Sequence, residues 1–191
     1  LSALSKRNIV KELVVGGARS GKSRYAQRRA LESGLPVTVV VTGQAGDAEM
    51  AARIAAHRRQ RPEEWQVVEA PVQLAAALAA HAAAGRCLIV DCLTLWLGNV
   101  LADAHTLGEP PDASRLPLFA AERRALMAAL PGLPGEILLV ANEVGLGIVP
   151  LGAETRLFRD EAGRLNQDVG ALCDAVTFVA AGLPLPLKRP V

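Results

Sequence analysis

The stretch Val14–Ser23, VVGGARSGKS, decides how the rest of this 191-residue chain is read. Its spacing is Gly16-x-x-x-x-Gly21-Lys22-Ser23, a complete phosphate-binding P-loop pattern. Triphosphate oxygens need many donors at close range. Backbone N–H groups supply them only where the chain curls tightly without Cβ atoms in the way. Gly16, Gly17, Ala18, Arg19, Ser20 and Gly21 make up that curl. Lys22 adds a point charge for the terminal phosphates, and Ser23 offers a hydroxyl to Mg²⁺. The helix that follows aims its positive end at the same anion. The pattern requires a strand before it and a helix after it. Glu12–Val15 (ELVV) ends in an apolar run, and SRYAQRRALESG after Lys22 is rich in helix formers, with Gly34 as a stop signal. With both flanks in place, the motif reads as a site for a nucleoside triphosphate with Mg²⁺ rather than a glycine-rich turn.

Outward from the loop, strands and helices alternate. Pro36 introduces Val37–Thr42 (VTVVVT), a β-branched run typical of a strand buried on both faces. Gly43–Gly46 makes a turn, Asp47 is placed to cap a helix over Ala48–Gln60, and Pro62 stops that helix. Trp65–Val68 reads as a short strand, and Pro71 opens an alanine-rich helix running to Ala84. Cys87–Val90 is another buried strand, ending at Asp91, and a helix over Leu93–Ala102 follows. His105–Ser114, with two adjacent prolines, is predicted to be a mobile surface loop. A helix over Arg115–Ala129, a strand over Ile137–Ala141 and a glycine-containing loop over Asn142–Pro150 come next. Glu154–Cys173 is a long amphipathic helix, Ala175–Ala180 a strand, and the Pro-rich tail has room for one edge strand. Residues 1–11 read as a flexible N-terminal arm. There is no internal repeat or second domain, so 1–191 is predicted to be one P-loop nucleotide-binding domain. Its expected architecture is a mostly parallel α/β sheet with helices on both faces.

Composition excludes several function classes. Aromatic residues are only 3% of the chain, too few for base-stacking platforms, while 51% hydrophobic content gives ample core. A net charge of +2 with a pI near 8.6 is too balanced to imply a nucleic-acid or membrane partner. No apolar run reaches a membrane span and no signal peptide is apparent, so a cytoplasmic location is expected. The chain opens on Leu1 rather than Met, so its first residue is expected not to be the native start. Cys87, Cys92 and Cys173 lack metal-ligand spacing and read as reduced core thiols.

Outside the P-loop, strand ends are where open α/β sheets place their sites. Asp91 terminates a buried strand, where P-loop enzymes place a carboxylate that holds Mg²⁺ or its water; the plainer role is to cap the next helix. Asn142 and Glu143 follow a buried strand on the same sheet edge, with turn chemistry and a surface carboxylate as the plainer roles. The helix over 48–60 carries Arg53, His57, Arg58 and Arg59, with Arg61 just beyond. Arg53 and His57 are four apart and share a helix face. Cationic neighbours lower an imidazole's pKa and favour its nucleophilic form, although composition alone equally describes a solvated basic helix. A simple nucleotide kinase would show a lid with paired arginines; none is evident. His81 and His105 carry no visible function.

Four stretches together carry a family resemblance: GGARSGKSRYA (Gly16–Ala26), DAEMAARIAAHRRQRPEEW (Asp47–Trp65), NEVGLGIVP (Asn142–Pro150) and FRDEAGRLNQ (Phe158–Gln167). In this order, and above all through RIxxHxxxRPxxW with NEVGxGIVP, the chain resembles the bifunctional adenosylcobinamide kinase/adenosylcobinamide-phosphate guanylyltransferase family of cobalamin biosynthesis. The resemblance implies two activities. One phosphorylates the aminopropanol hydroxyl of adenosylcobinamide with ATP or GTP. The other moves GMP from GTP onto that phosphate through a guanylylated histidine, giving adenosylcobinamide-GDP and pyrophosphate. By the family pattern that histidine falls on His57; some members carry two adjacent histidines here, whereas this chain has Ala56 before His57. Arg53, Arg58 and Arg61 are then placed to neutralise phosphate charge. A RecA-like sheet and a homotrimer are implied as well. Two other readings stay open on residues alone: a P-loop kinase for another small alcohol without guanylyl transfer, and a nucleotide-controlled assembly module that makes no small-molecule product.

Overall fold

The computed structural model describes residues 11–59, 61–106 and 112–189. Among the described residues seven strands form one sheet: β1 (Lys11–Gly16), β2 (Val37–Val41), β3 (Gln66–Glu69), β4 (Cys87–Asp91), β5 (Glu136–Asn142), β6 (Ala175–Ala180) and β7 (Leu183–Lys188). Their order is β3-β2-β4-β5-β1-β6-β7, and every pairing is parallel except β6 with β7. β5 therefore lies between the P-loop strand β1 and the strand that ends at Asp91. Val14 pairs with Val140 across β1 and β5, and Asp91 with Val140 across β4 and β5. This register carries three strand ends to one edge.

The alternation of side chains along each strand splits the core into two layers. Val39, Ile89, Leu138 and Val140 face one way and pack under α1 (Lys22–Ser33), which contributes Ala26 and Ala30. Val40, Leu88, Val90, Ile137 and Leu139 face the other way, toward α3 (Leu74–His81), α4 (Leu93–Val100), α5 (Pro117–Ala129) and α6 (Ala153–Leu172). Helices thus cover both faces, as the alternating pattern predicts. α4 sets Leu93, Trp96, Leu97 and Val100 into the core, and large apolar side chains gain about 1.5–3 kcal/mol each by such burial. The fully buried Trp96 satisfies its indole N–H on the Val72 carbonyl at 2.6 Å. Helix α2 (Ala48–Arg59) differs: none of its described side chains is buried.

Most element boundaries agree with the sequence to within a few residues. Lys11, placed in the arm by sequence, is instead the first residue of β1, and its backbone N–H donates to Asp174 Oδ2 at 2.7 Å. The rest of the arm lies outside the described residues. The helix expected over 71–84 shortens to Leu74–His81, because Ala82 adopts extended backbone and Gly85 turns at a φ of 78°. His105–Ser114 was expected to be a loop, and its described ends are 3₁₀ turns over Ala102–Thr106 and Ala113–Arg115. Asp112 accounts for the second, accepting from the Ser114 backbone N–H at 2.9 Å. The three cysteines are buried and free, as expected. Among the described residues no helix is long and apolar enough to cross a membrane.

Candidate nucleotide site

The loop between β1 and α1 is shaped by close backbone approaches. A Cβ on Gly16 would come within 2.2 Å of the Val179 carbonyl oxygen, so β6 enforces glycine there. Gly21 sits at a φ of 101°, in the left-handed region that favours glycine. Its would-be Cβ lies 3.1 Å from Gly182 Cα, and the Gly182 N–H donates to the Ser20 carbonyl at 2.8 Å. The β6–β7 turn therefore clamps the loop from behind. Arg19 adopts a φ of 56°, an unfavourable conformation for a residue with a side chain. Lys22 is buried and reaches back over the loop, its Nζ donating to the Gly17 carbonyl at 2.7 Å. Ser20 Oγ is buried without a hydrogen-bond partner among the described residues. An orphaned hydroxyl costs about 1–3 kcal/mol until something supplies its partner. A bound anion over the loop would do so.

The neighbouring strand ends are fixed by side chains that the sequence reading did not single out. The Asn142 N–H donates to Thr94 Oγ1 at 2.7 Å, and its carbonyl accepts from Asn166 Nδ2 at 3.2 Å. At the end of β2, Thr42 Oγ1 donates to the Cys92 carbonyl at 2.7 Å and accepts from the Cys92 N–H at 3.0 Å. Asn99 Nδ2 donates to both the Thr42 and Pro71 carbonyls at 2.8 Å. Each is one short polar residue in a helix or at a strand end, a pattern too common to flag without its partner in view.

These elements enclose a cavity of about 640 Å³. Its polar lining includes Arg19, Ser20, Lys22, Ser23, Arg61, Asp91 and Asn142. Another wall is α2, which contributes Glu49, Met50, Ile54 and Ala56 to the lining, joined by Leu95 of α4. Gly43 lets this wall approach: a Cβ there would be 3.2 Å from Leu95 Cδ1. Met50 and Ile54 are four apart, a spacing legible in the sequence but overshadowed by the basic residues beside it. Cys92 also lines the cavity, but burial raises its pKa, so the thiol stays protonated near neutrality and is no nucleophile.

The sequence-derived candidates separate into groups. The P-loop residues, Asp91, Arg61 and Asn142 are brought together. Arg61 lies against Asp91 rather than open to the cavity centre: Nη2 is 2.8 Å from Oδ2, with the two side chains 8% and 15% exposed. Arg58 is exposed and does not line the cavity. The Glu143 carboxylate caps its own loop by accepting from the Gly145 N–H, and it too is outside the lining. The backbones of Arg53 and His57 belong to α2, while their side chains lie outside the described residues.

Among the described residues no three His, Cys, Asp or Glu side chains gather into a metal cage. Ser23 and Asp91 instead share the cavity wall. One hydroxyl and one carboxylate fit Mg²⁺, which takes one or two protein oxygens plus substrate phosphates and keeps several waters.

Comparisons with known proteins show the family and the fold. The family described as "Cobinamide kinase / cobinamide phosphate guanyltransferase" matches residues 12–187. The "Bifunctional adenosylcobalamin biosynthesis protein CobP" of Pseudomonas aeruginosa is 54% identical over 179 residues, covering 94% of this chain and 98% of that protein. The "Bifunctional adenosylcobalamin biosynthesis protein CobU" of Escherichia coli is 38% identical over 179 residues, covering 92% and 98%. Among solved structures, a "unique ATP synthase subunit NeqB" from Nanoarcheaum equitans superposes with a TM-score of 0.53 at 11% identity, covering 90% of this chain and 46% of that one. That likeness shows the fold alone.

Proposed function

The chain belongs to the cobinamide kinase / cobinamide phosphate guanyltransferase family, and from that premise we propose how its residues divide the two reactions. It is a bifunctional enzyme of cobalamin biosynthesis, a kinase and a guanylyltransferase.

In the kinase reaction the triphosphate of ATP or GTP lies along Gly16–Gly21 and the start of α1. Loop N–H groups and Lys22 hold its terminal phosphates. Ser23 and Asp91 would hold Mg²⁺, which when bound neutralises phosphate charge. The aminopropanol hydroxyl of adenosylcobinamide attacks the γ-phosphorus. The bond from that phosphorus to the β-bridging oxygen breaks, the nucleoside diphosphate leaves, and the hydroxyl proton passes to solvent. Asn142, fixed by Thr94 and Asn166, borders the phosphate end of the cavity.

In the transferase reaction an imidazole nitrogen of His57 attacks the α-phosphorus of GTP. A P–N bond forms, the P–O bond to pyrophosphate breaks, and pyrophosphate departs. A phosphate oxygen of adenosylcobinamide phosphate then attacks the same phosphorus. The P–N bond breaks, and adenosylcobinamide-GDP leaves with His57 neutral again. Arg53, on the same helix as His57, offsets phosphate charge.

The observation that supports this division is that the phosphate cradle and α2, the helix of His57, line the same cavity. Mass spectrometry after mixing with Mg²⁺-GTP tests it. The expected result is a mass increase of one GMP on His57 and no adduct in His57→Ala; an adduct that persists in that variant refutes the assignment.

The surface also suggests self-association. Leu146, Ile148 and Leu151, on the loop after β5, are 83–97% exposed, and Leu183, Leu185 and Leu187 line the face of edge strand β7. Apolar surface of this kind marks interfaces. A homotrimer in the cytoplasm is the state implied by the resemblance; sedimentation of the purified protein as a monomer at micromolar concentration would contradict it.

A further inference from the structure

Helix α2 is a wall of the site without being part of the core. Its described side chains are exposed or half-buried. Its start is held by a cap, the Met50 N–H donating to Asp47 Oδ1 at 2.7 Å. Just past its end the chain turns inward. The Arg61 N–H donates to the Arg58 carbonyl at 3.3 Å, and Trp65 is buried against the α1 face of the sheet. Between these two points the Arg61 side chain runs inward to Asp91, at the end of β4. A gap of only about 10 Å³ lies behind the pair, bordered by Ser23, Gln27 and Trp65. Arg61 thus forms part of the cavity floor, four residues after His57.

A charge this deep is costly to desolvate, and pairing offsets that cost without turning it into a large net gain. What such a pair supplies well is position. Removing Asp91 would leave the Arg61 guanidinium, 8% exposed, without the carboxylate it lies against, so the end of α2 is favoured where Arg61 reaches Asp91. Guanidinium reach and planarity suit that seat better than a phosphate contact does here, because Asp91 already takes Nη2 at 2.8 Å.

We propose that Arg61 is a positioning residue for guanylyl transfer: its ion pair with Asp91 seats the end of the His57 helix over the phosphate cradle. Arg61 acts through α2 and not by holding the nucleotide. The inference rests on the assignment of His57 as the GMP carrier. Displacing a nucleophile by an ångström costs on the order of a hundredfold in rate. Loss of Arg61 should therefore lower the rate constant for adduct formation by about that factor, while affinity for a non-hydrolysable GTP analogue stays at the wild-type level.

The test is a double-mutant cycle on the single-turnover labelling rate at saturating α-labelled GTP, with Arg61→Gln, Asp91→Asn and the double variant. Amide hydrogen exchange over residues 55–59 is read in parallel. Positioning through the pair predicts non-additivity: Arg61→Gln adds no further loss once Asp91 is Asn. It also predicts faster exchange at the end of α2 in Arg61→Gln. Multiplying losses, or weakened analogue binding with a normal labelling rate, would make Arg61 a phosphate ligand and overturn the proposal. Unchanged exchange would overturn it as well. Arg61→Lys replaces Arg61→Gln in the same cycle if the latter does not fold. Mapping the wild-type adduct separates the two ideas: an adduct away from α2 defeats the His57 assignment, and the exchange readout then decides on Arg61 alone.

Discussion

Helices α1 and α2 border the same cavity and are held in opposite ways. α1 lies on the sheet and buries Lys22, Ala26, Ala30 and Ser33 along one stripe, with its first turn locked to a loop that β6 and the β6–β7 turn clamp. Further support comes from Tyr25 and Arg29, which share the buried Glu12 carboxylate with Thr177, at 2.8 Å from Tyr25 Oη and 2.7 Å from Thr177 Oγ1. α2 has a cap at one end, an ion pair past the other, and a half-buried stripe of Met50 and Ile54. The difference is physical. A phosphate cradle works through backbone N–H groups, which must be rigid to be useful. The nucleophile proposed on α2, which would take a group from one substrate and pass it to another, needs only to be delivered to the phosphorus.

Four measurements would break or sharpen that contrast, beginning with the largest effect. His57→Ala should remove the covalent adduct altogether while leaving the cradle intact; retained labelling would mean α2 carries no nucleophile. Lys22→Ala should reduce kinase kcat by about a hundredfold or more, the scale for losing one preorganised charge donor. Near-normal turnover would remove Lys22 from the phosphate site. At the start of α2, Asp47→Ala should cost about 1 kcal/mol of local helix stability, seen as roughly fivefold faster amide exchange across Ala48–Ala52. Global Tm should stay unchanged, because no described side chain of α2 belongs to the core; a lowered Tm would show α2 to be part of the cooperative unit.

The smallest effect lies under α1. Burial, aided by the Glu136 charge, pushes the Cys87 thiol from 9.0 up to about 12. Burial does the same to Cys173 at the end of α6. The unfolded chain then loses these protons at lower pH than the folded one. The stabilisation is fully present below pH 9.0 and is lost as the pH rises toward about 12. Each thiol contributes a slope of at most about 1.4 kcal/mol per pH unit in that window. Urea unfolding of wild type and Cys87→Ala between pH 8 and 10.5 should show a shallower alkaline decline in the variant. Parallel declines would mean Cys87 is not shielded by α1.

Several residues mark how far local pattern reaches. Asp47 was legible as a cap because capping is an affair of four consecutive residues, here Asp47 to Met50. Asp91 and Asn142 were legible as strand-end residues because apolar runs announce where strands stop. Arg61 was legible as basic and near the site, but not as the partner of Asp91, thirty positions away. Thr94 and Asn99 gave no signal, since each is ordinary until the carbonyl or N–H it satisfies is in place, and Asn166 stood out only as part of FRDEAGRLNQ, without its partner. Glu143 looked like a site residue by position, yet its carboxylate closes its own turn on Gly145.

The sequence by itself determined that a glycine-rich loop would stand between a strand and a helix, and that strand and helix would alternate into a mostly parallel sheet. Both follow from short-range rules: glycine's missing Cβ, hydrophobic period and turn chemistry. Only the tertiary structure decided that Gly16 is obligatory because Val179 is above it, that α2 stands outside the core, and that Arg61 belongs to Asp91. Those are contacts between residues brought together by strand order, and a sum of local preferences carries no information about which distant neighbour the sheet will supply.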